Sequence, residues 1–227
     1  MGRKTPLVNG EYYHVFNRGV DKRQVFMDTH DQERFIKSLV EFNSIEPTGG
    51  LFFNSFKNRQ LRSLTSKSGK IVDLVSYCLN PNHFHLILRQ VEDQGISKFL
   101  QRISTGYTKY FNDRQGRSGA LFQGTFKSVH IENNEQLLHV SVYVNLNDRV
   151  HGVGKWGLSA KSSWEEYTPG IQGICKKDII LSQFSDENHY KKFAEKAIKD
   201  IVKRRKNIDE EGSDIKQILG YRVYTHT

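Results

Sequence analysis

In the run NHFHLILR, His83 and His85 stand two residues apart with Phe84 between them. On a β-strand alternate residues share a face, so both imidazoles would point one way while Phe84, Leu86 and Leu88 point into a core. Two imidazoles on one face can converge on a single cation. They can equally be two polar side chains on a solvated strand, and the spacing alone does not separate the cases. The second feature is NEQLLHVSVYVNLN, Asn134–Asn147. Wound as a helix, it spreads Leu137, Leu138, Val140, Val142, Val144 and Leu146 over most of its circumference and leaves a narrow polar arc of Gln136, His139, Tyr143 and Asn147. Tyr143 and Asn147 are four apart and would lie one above the other. A helix this apolar is buried, so its polar stripe needs partners. The plain alternative is a structural tyrosine and an asparagine capping the helix end.

The two features explain each other if they meet. Two imidazoles and the Asn147 amide oxygen would make three neutral ligands, with positions open for water and a phosphate oxygen. Tyr143 would then face the phosphorus. An ordinary tyrosine ionises near pH ~10, so a nucleophilic phenol needs nearby positive charge to stabilise what develops on it. A phosphotyrosyl link conserves the energy of a phosphodiester, so breaking and rejoining a strand needs no nucleotide cofactor.

These residues need a frame to hold them. Glu11–Arg18 is rich in aromatic and β-branched residues and reads as a strand. Asp31–Asn43 spaces Phe35, Leu39 and Phe42 as on one helix face. Val72–Cys78 and His83–Arg89 flank Leu79-Asn80-Pro81-Asn82 and read as an antiparallel hairpin. Ile96–Asn112 places Phe99, Ile103 and Tyr107 on one helical face, and LFQGTFKSVHIE has strand character. Asn133 or Asn134 is placed to cap the helix that follows. Beyond about Asp148 the pattern loosens until a basic amphipathic helix from about Glu187 to Lys203. Strand, helix, hairpin, helix, strand, helix implies an α+β fold with helices packed on a central antiparallel sheet. A domain over residues 1–150 and a C-terminal loop and helical extension over 151–227 are the expected divisions. Leu51–Lys70 opens aromatic and turns basic and Ser-rich, and its second half reads as a solvated loop, either touching DNA or a flexible insertion.

The segments YCLNPNHFHLIL, GYTKYFNDRQGRSGALFQGTFK and YVNLND resemble the HUH-type single-tyrosine transposases, above all the REP-associated tyrosine transposases (a transposase 200-like group). The resemblance runs from about Tyr12 to Tyr167, and SSWEEY extends it. It implies the ferredoxin/RRM-like HUH fold, with His83, His85 and Asn147 as ligands of Mg2+ or Mn2+ and Tyr143 as nucleophile. It also implies a covalent link to a DNA 5′ phosphate, a free 3′ hydroxyl, and a hairpin-containing single-stranded DNA as partner. The chain departs from the group at Asn147-Asp148, where Asn-Pro is common, which bears on how that helix ends. Related transposases include dimers, so monomer and homodimer both stand as expectations. The rivals are a replication-initiator or relaxase-like nickase, which usually carries a further large domain, and a non-catalytic hairpin-binding protein, which would need no such residue set.

Bulk properties agree with a polyanionic partner. The chain of 227 residues carries a formal net charge of +9, and its sequence pI is about 9.4. A hydrophobic fraction of 37% and an aromatic fraction of 11% argue for a packed core. Arg102, Lys109, Arg114, Arg117 and Lys127 are candidate phosphate contacts and Tyr110 a candidate base-stacking residue. Tyr107 and Phe122 read equally as stacking or core residues, and Arg18 and Lys22 as further residues facing DNA. The start lacks a long apolar run with a cleavage site, no run is long enough to span a bilayer, and Cys78 and Cys175 make no metal-spaced pair. The expectation is a reduced, cytoplasmic protein with no membrane partner, associated with the nucleoid while acting. Residues 152–157, GVGKWG, match G-x-G-x-x-G in letters only, since no strand precedes them.

Overall fold

The computed structural model describes residues 7–46, 69–151 and 157–206. Most of the basic loop expected over 51–70, and all but the last residue of GVGKWG, lie outside the described residues. Strand β1 (Tyr12–Arg18), helix α1 (Thr29–Glu41), β2 (Val72–Asn80), β3 (His83–Gln90), α2 (Gly95–Gln115) and β4 (Lys127–Ile131) follow in ferredoxin-like β-α-β-β-α-β order. Helix α3 (Asn134–Asn145), α4 (Asn147–His151), β5 (Lys161–Ser162), α5 (Asp178–Leu181) and α6 (Glu187–Lys206) come after. The five strands form one sheet in the order β4-β1-β3-β2-β5, with every neighbouring pair antiparallel. The α+β architecture expected from the pattern is therefore the one observed.

Alternation along the strands supplies two buried faces. One carries Tyr13, Val15, Phe84, Leu86 and Leu88, packed with Phe35 and Leu39 of α1 and Phe99, Ile103 and Tyr107 of α2. The opposite face carries Val75, Cys78 and Ile87, packed with Val140, Tyr143 and Val144 of α3 and Ala194, Ile198 and Ile201 of α6. The sheet is thus sandwiched, and the later part of the chain supplies the second helical layer.

Local chemistry sets the ends of the elements. Asp28 caps α1 by accepting from the Asp31 amide, and Arg114, at the far end of α2, pairs with the carboxylates of both Asp28 and Asp31. This ties the start of α1 to the end of α2. The Pro81 carbonyl at the β2–β3 turn accepts from the amides of Val25 and Phe26. Asn133 caps α3 by accepting from the Gln136 amide. The run LFQGTFKSVHIE is a strand only from Lys127; before that, Phe122 makes a lone bridge to Gly19, and Gly124 takes a φ of 67° that a side chain would resist.

Helix α3 also ends earlier than its pattern suggests. Leu146 leaves helical geometry (φ −115°, ψ 28°), and Asn147 opens α4 instead of continuing α3. Tyr143 and Asn147 therefore do not share one helix.

The chain beyond residue 160 is anchored to α3 by buried polar groups. Ser162 pairs with Cys78 in the sheet, and the Ser163 hydroxyl donates to Asn145 Oδ1 over 2.6 Å. The Asn145 amide donates in turn to the Tyr190 hydroxyl at 3.1 Å, and Ser141 lies 3.0 Å from that hydroxyl. Burial pushes the Tyr190 phenol up to about 12. Because the folded value is raised, its stabilisation is complete below pH ~10 and is lost as pH climbs toward 12, at up to about 1.4 kcal/mol per pH unit. Tyr190→Phe should cost about 1 kcal/mol at pH 8, because it leaves the Asn145 amide unpaired. It should also flatten the alkaline loss, which urea midpoints at pH 8 and pH 11 will measure.

Candidate functional site

Strand β3 sends Phe84, Leu86 and Leu88 to the α1/α2 side and His83 and His85 to the α3 side. Helix α3 lies over that second face and brings Tyr143 down onto it. The Tyr143 ring meets His85 edge-on with centroids 5.4 Å apart, and meets His14 of β1 edge-on at 5.9 Å. The rings of His83 and His85 are 4.9 Å apart and nearly perpendicular. The histidine pair and the tyrosine singled out from their spacing therefore converge in space.

The alternative of a solvated strand face does not describe this surface. His85 is 4% exposed, Tyr143 2%, and His14 and Asn147 0%. His83 is half-buried and forms the edge of the cluster nearest solvent. Phe16, the β1 partner of His85 across the ladder, adds a third aromatic contact at 5.7 Å.

Hydrogen bonds at the two histidines follow one pattern. Nδ1 of His83 lies 2.6 Å from the side-chain oxygen of Asn82. An amide oxygen only accepts, so that ring carries its proton on Nδ1 and its lone pair on Nε2. Nδ1 of His85 lies 3.0 Å from Nε2 of His14, deep in the fold. Burial drives the His14 pKa down from its ordinary value to about 3, so His14 is neutral at physiological pH. Histidine metal ligands characteristically use one ring nitrogen for the metal and anchor the other to a neighbour. His83 and His85 both fit that pattern, each anchored at Nδ1.

Asn147 fits less directly. Its Oδ1 accepts from the Asn80 amide at 2.8 Å, while its Nδ2 is buried with no hydrogen-bond partner among the described residues. Oxygen and nitrogen of an amide are assigned from such networks. Exchanging them at both Asn80 and Asn147 keeps the mutual hydrogen bond and turns the unpartnered atom of Asn147 into an oxygen, the atom a cation would need. Two ligands fit as they stand and the third fits after an amide exchange. Another carboxylate–histidine group, Asp28, His30 and Asp31, has its ligand atoms within 4.8 Å of one another, but Arg114 already pairs with both carboxylates there. It belongs to the α1/α2 layer, across the sheet from Tyr143.

The basic candidates fall into two groups. Arg102 is spent on the carbonyls of Phe42 and Ser44, and Arg114 on the two aspartates. Tyr110 donates its hydroxyl to Asp31 and touches His30. Tyr107 and Phe122 are buried in the core. Lys109 and Arg117 line an open groove of about 690 Å³ beside the end of α2, together with Asn112 and Phe122; Arg117 there bonds Asn112 and the Ala120 carbonyl. Lys127 is exposed and pairs across the ladder with Phe16, so it shares the face that bears His85. Arg18 is exposed opposite His83 and reaches Gln123, which sits on the loop bordering the groove. His139, on the expected polar arc of α3, stacks edge-on against Phe193 of α6 and faces away from the site.

Residues 52–147 match the family described as "Transposase IS200 like". The match covers less than half of the chain. The matched stretch takes in β2, β3, α2, β4 and α3, with His83, His85, Tyr143 and Asn147 all inside it, and leaves out β1 with His14. Among solved structures, the chain is similar to one described as the REP-associated tyrosine transposase bound to a REP hairpin. The identity is 15% and the TM-score 0.48, over 77% of this chain and 89% of that one. No curated protein sequence matches the chain.

Two residues of the cluster escaped the sequence reading. His14 looks from its neighbours like one more strand residue, and Asn80 like part of a turn; each becomes visible only as a buried polar group requiring a partner. The burial also separates the two histidines energetically. His85→Ala removes a ring packed on four others and strands His14, so it should lower metal-free stability by roughly 2–3 kcal/mol. His83→Ala, at the solvent edge, should stay within about 0.5 kcal/mol of the parent. Urea unfolding in the presence of a chelator measures both.

Proposed function

We propose that this chain is an IS200-like transposase that cleaves and rejoins hairpin-containing single-stranded DNA through a 5′-phosphotyrosine at Tyr143. The observation that carries this reading is the packing of the Tyr143 ring against His85, 5.4 Å between centroids, on the face that also bears His83. A divalent cation such as Mg2+ or Mn2+, held by His83, His85 and the Asn147 amide, would polarise the scissile phosphate and offset the charge that builds on it. The Tyr143 oxygen attacks phosphorus as its proton passes to solvent, and the bond from phosphorus to the 3′ oxygen breaks. The 3′ oxygen takes a proton from water and leaves as a hydroxyl. Attack by a 3′ hydroxyl on the phosphotyrosine reverses the sequence and releases the phenol. Burial of the site strengthens each polar interaction within it.

The strand reaches this site, in our reading, from the groove that bears Lys109 and Arg117, passes Arg18 beside His83, and continues toward Lys127. Along that path Lys109, Arg18 and Lys127 are exposed and Arg117 is partly so. Monomer and homodimer both accommodate it, since histidines and tyrosine meet within one chain.

A second reading is a hairpin-binding protein that does not cleave. It is favoured by the 2% exposure of Tyr143 and by the engagement of the Asn147 oxygen with Asn80. Incubation with hairpin single-stranded DNA and Mn2+, followed by denaturing electrophoresis, separates the two. An SDS-stable adduct is expected for the parent, and none for Tyr143→Phe, whose DNA affinity should stay unchanged. An adduct persisting in that variant would remove Tyr143 from the role, and no adduct in either protein would leave the binding reading.

The DNA path has its own test. Lys127→Glu and Arg18→Glu should each weaken hairpin DNA binding by about tenfold at low salt. Each should also lower the slope of log affinity against log salt by about 0.7 or more. Arg102→Ala and Arg114→Ala should lower Tm and leave affinity unchanged, as fluorescence anisotropy will report.

A further inference from the structure

We propose that His14 is a positioning residue for the cation site: its Nε2 accepts the Nδ1 proton of His85, holding the lone pair of His85 on Nε2. This rests on the reading of His83 and His85 as cation ligands. The two rings are buried, in contact at 3.0 Å, and stacked at an interplanar angle of 21° with centroids 5.1 Å apart. A nitrogen–nitrogen contact of 3.0 Å has room for only one proton. If His14 supplied it, His85 would carry its own proton on Nε2 and could not bind a cation there. If His85 supplies it, Nε2 holds the lone pair. Only the second direction serves the site.

His83 shows why the choice matters. Its Nδ1 is fixed by the Asn82 amide oxygen, which accepts and cannot reverse. His85 is fixed by another histidine, and that contact can run either way. With the useful direction in place, His14 bears its own proton on Nδ1. That atom is buried with no hydrogen-bond partner among the described residues. Such an arrangement costs stability. A phenylalanine of similar shape would remove this unpaired group but leave Nδ1 of His85 without its acceptor. Its place on β1 suits the task. It pairs across the ladder with Ile87, one step diagonal from His85, and the β1–β3 register holds it on the same face as His85.

The test combines Mn2+ titration calorimetry with histidine nitrogen NMR of the Mg2+-saturated protein. His14→Phe should weaken Mn2+ binding by about 10–100-fold, the scale for losing an anchoring partner of a ligand. His14→Gln, whose amide oxygen can accept the same proton, should stay within about threefold of the parent. The NMR spectrum should place the His85 proton on Nδ1 and the His14 proton on Nδ1. Parental Mn2+ affinity in His14→Phe, or a His85 proton on Nε2 in the Mg2+-saturated protein, would overturn the inference. The NMR result decides even if His14→Phe does not fold. Mn2+ affinity that depends on His83 but not on His14 defeats this inference alone. Affinity indifferent to His83→Ala defeats the cation reading beneath it.

Discussion

The pairing of β1 with β3, which sets Phe16 opposite His85 and Arg18 opposite His83, is the constraint from which the site follows. Partners across an antiparallel ladder share a face, and a slip of one residue would move every side chain of β1 to the other side. His14 and Arg18 would then face α1 and α2, and Tyr13 and Val15 would lie under Tyr143. What prevents the slip is apolar packing on the far face, where Tyr13 and Val15 join Phe84, Leu86 and Leu88 against the first helical layer. The hydrophobic core on one side of the sheet thus places the polar chemistry on the other.

That polar surface is closed by a second layer that is itself bound by polar groups. Ser163, Asn145, Ser141 and Tyr190 link the late segments to α3, and Asn80 links β2 to Asn147. Buried hydrogen bonds of this kind are costly to leave half made, so they fix α3 in one position over the sheet. The tyrosine, nearly three turns along α3 from its capped start, inherits that position. Residues beyond 160 accordingly belong to the structure that holds the phenol over the histidines, in addition to whatever surface they present.

Charge is distributed by the same logic. A net charge of +9 suggests a broad basic surface, yet Arg102 and Arg114 are consumed in holding α1 to α2 and to the chain beyond it. A guanidinium with several donors is well suited to such bracing. The cations left exposed along the groove and at the sheet edge are Lys109, Arg18 and Lys127. Their places on the groove beside α2 and on β1 and β4 are set by the fold, which a count of charges cannot supply.

Much of the frame was legible in the sequence because strand alternation, helical spacing and caps are local properties. β1, α1, the β2–β3 hairpin, α2, α3 and α6 lie within a few residues of where their patterns put them. The convergence of His83, His85 and Tyr143 could be anticipated because their spacing and the family resemblance pointed the same way. The break at Leu146 could not, since helical periodicity continues through it, and only tertiary packing decides that Asn147 turns toward Asn80 instead of stacking above Tyr143. Nor could the partner of His85 be read, because His14 lies 71 residues away and meets it only through strand register. The sequence by itself determined which elements form and which residue types are available for chemistry, since both depend on near neighbours. Tertiary structure alone decided which polar atoms are buried together and which cations remain exposed, because those depend on contacts between distant segments.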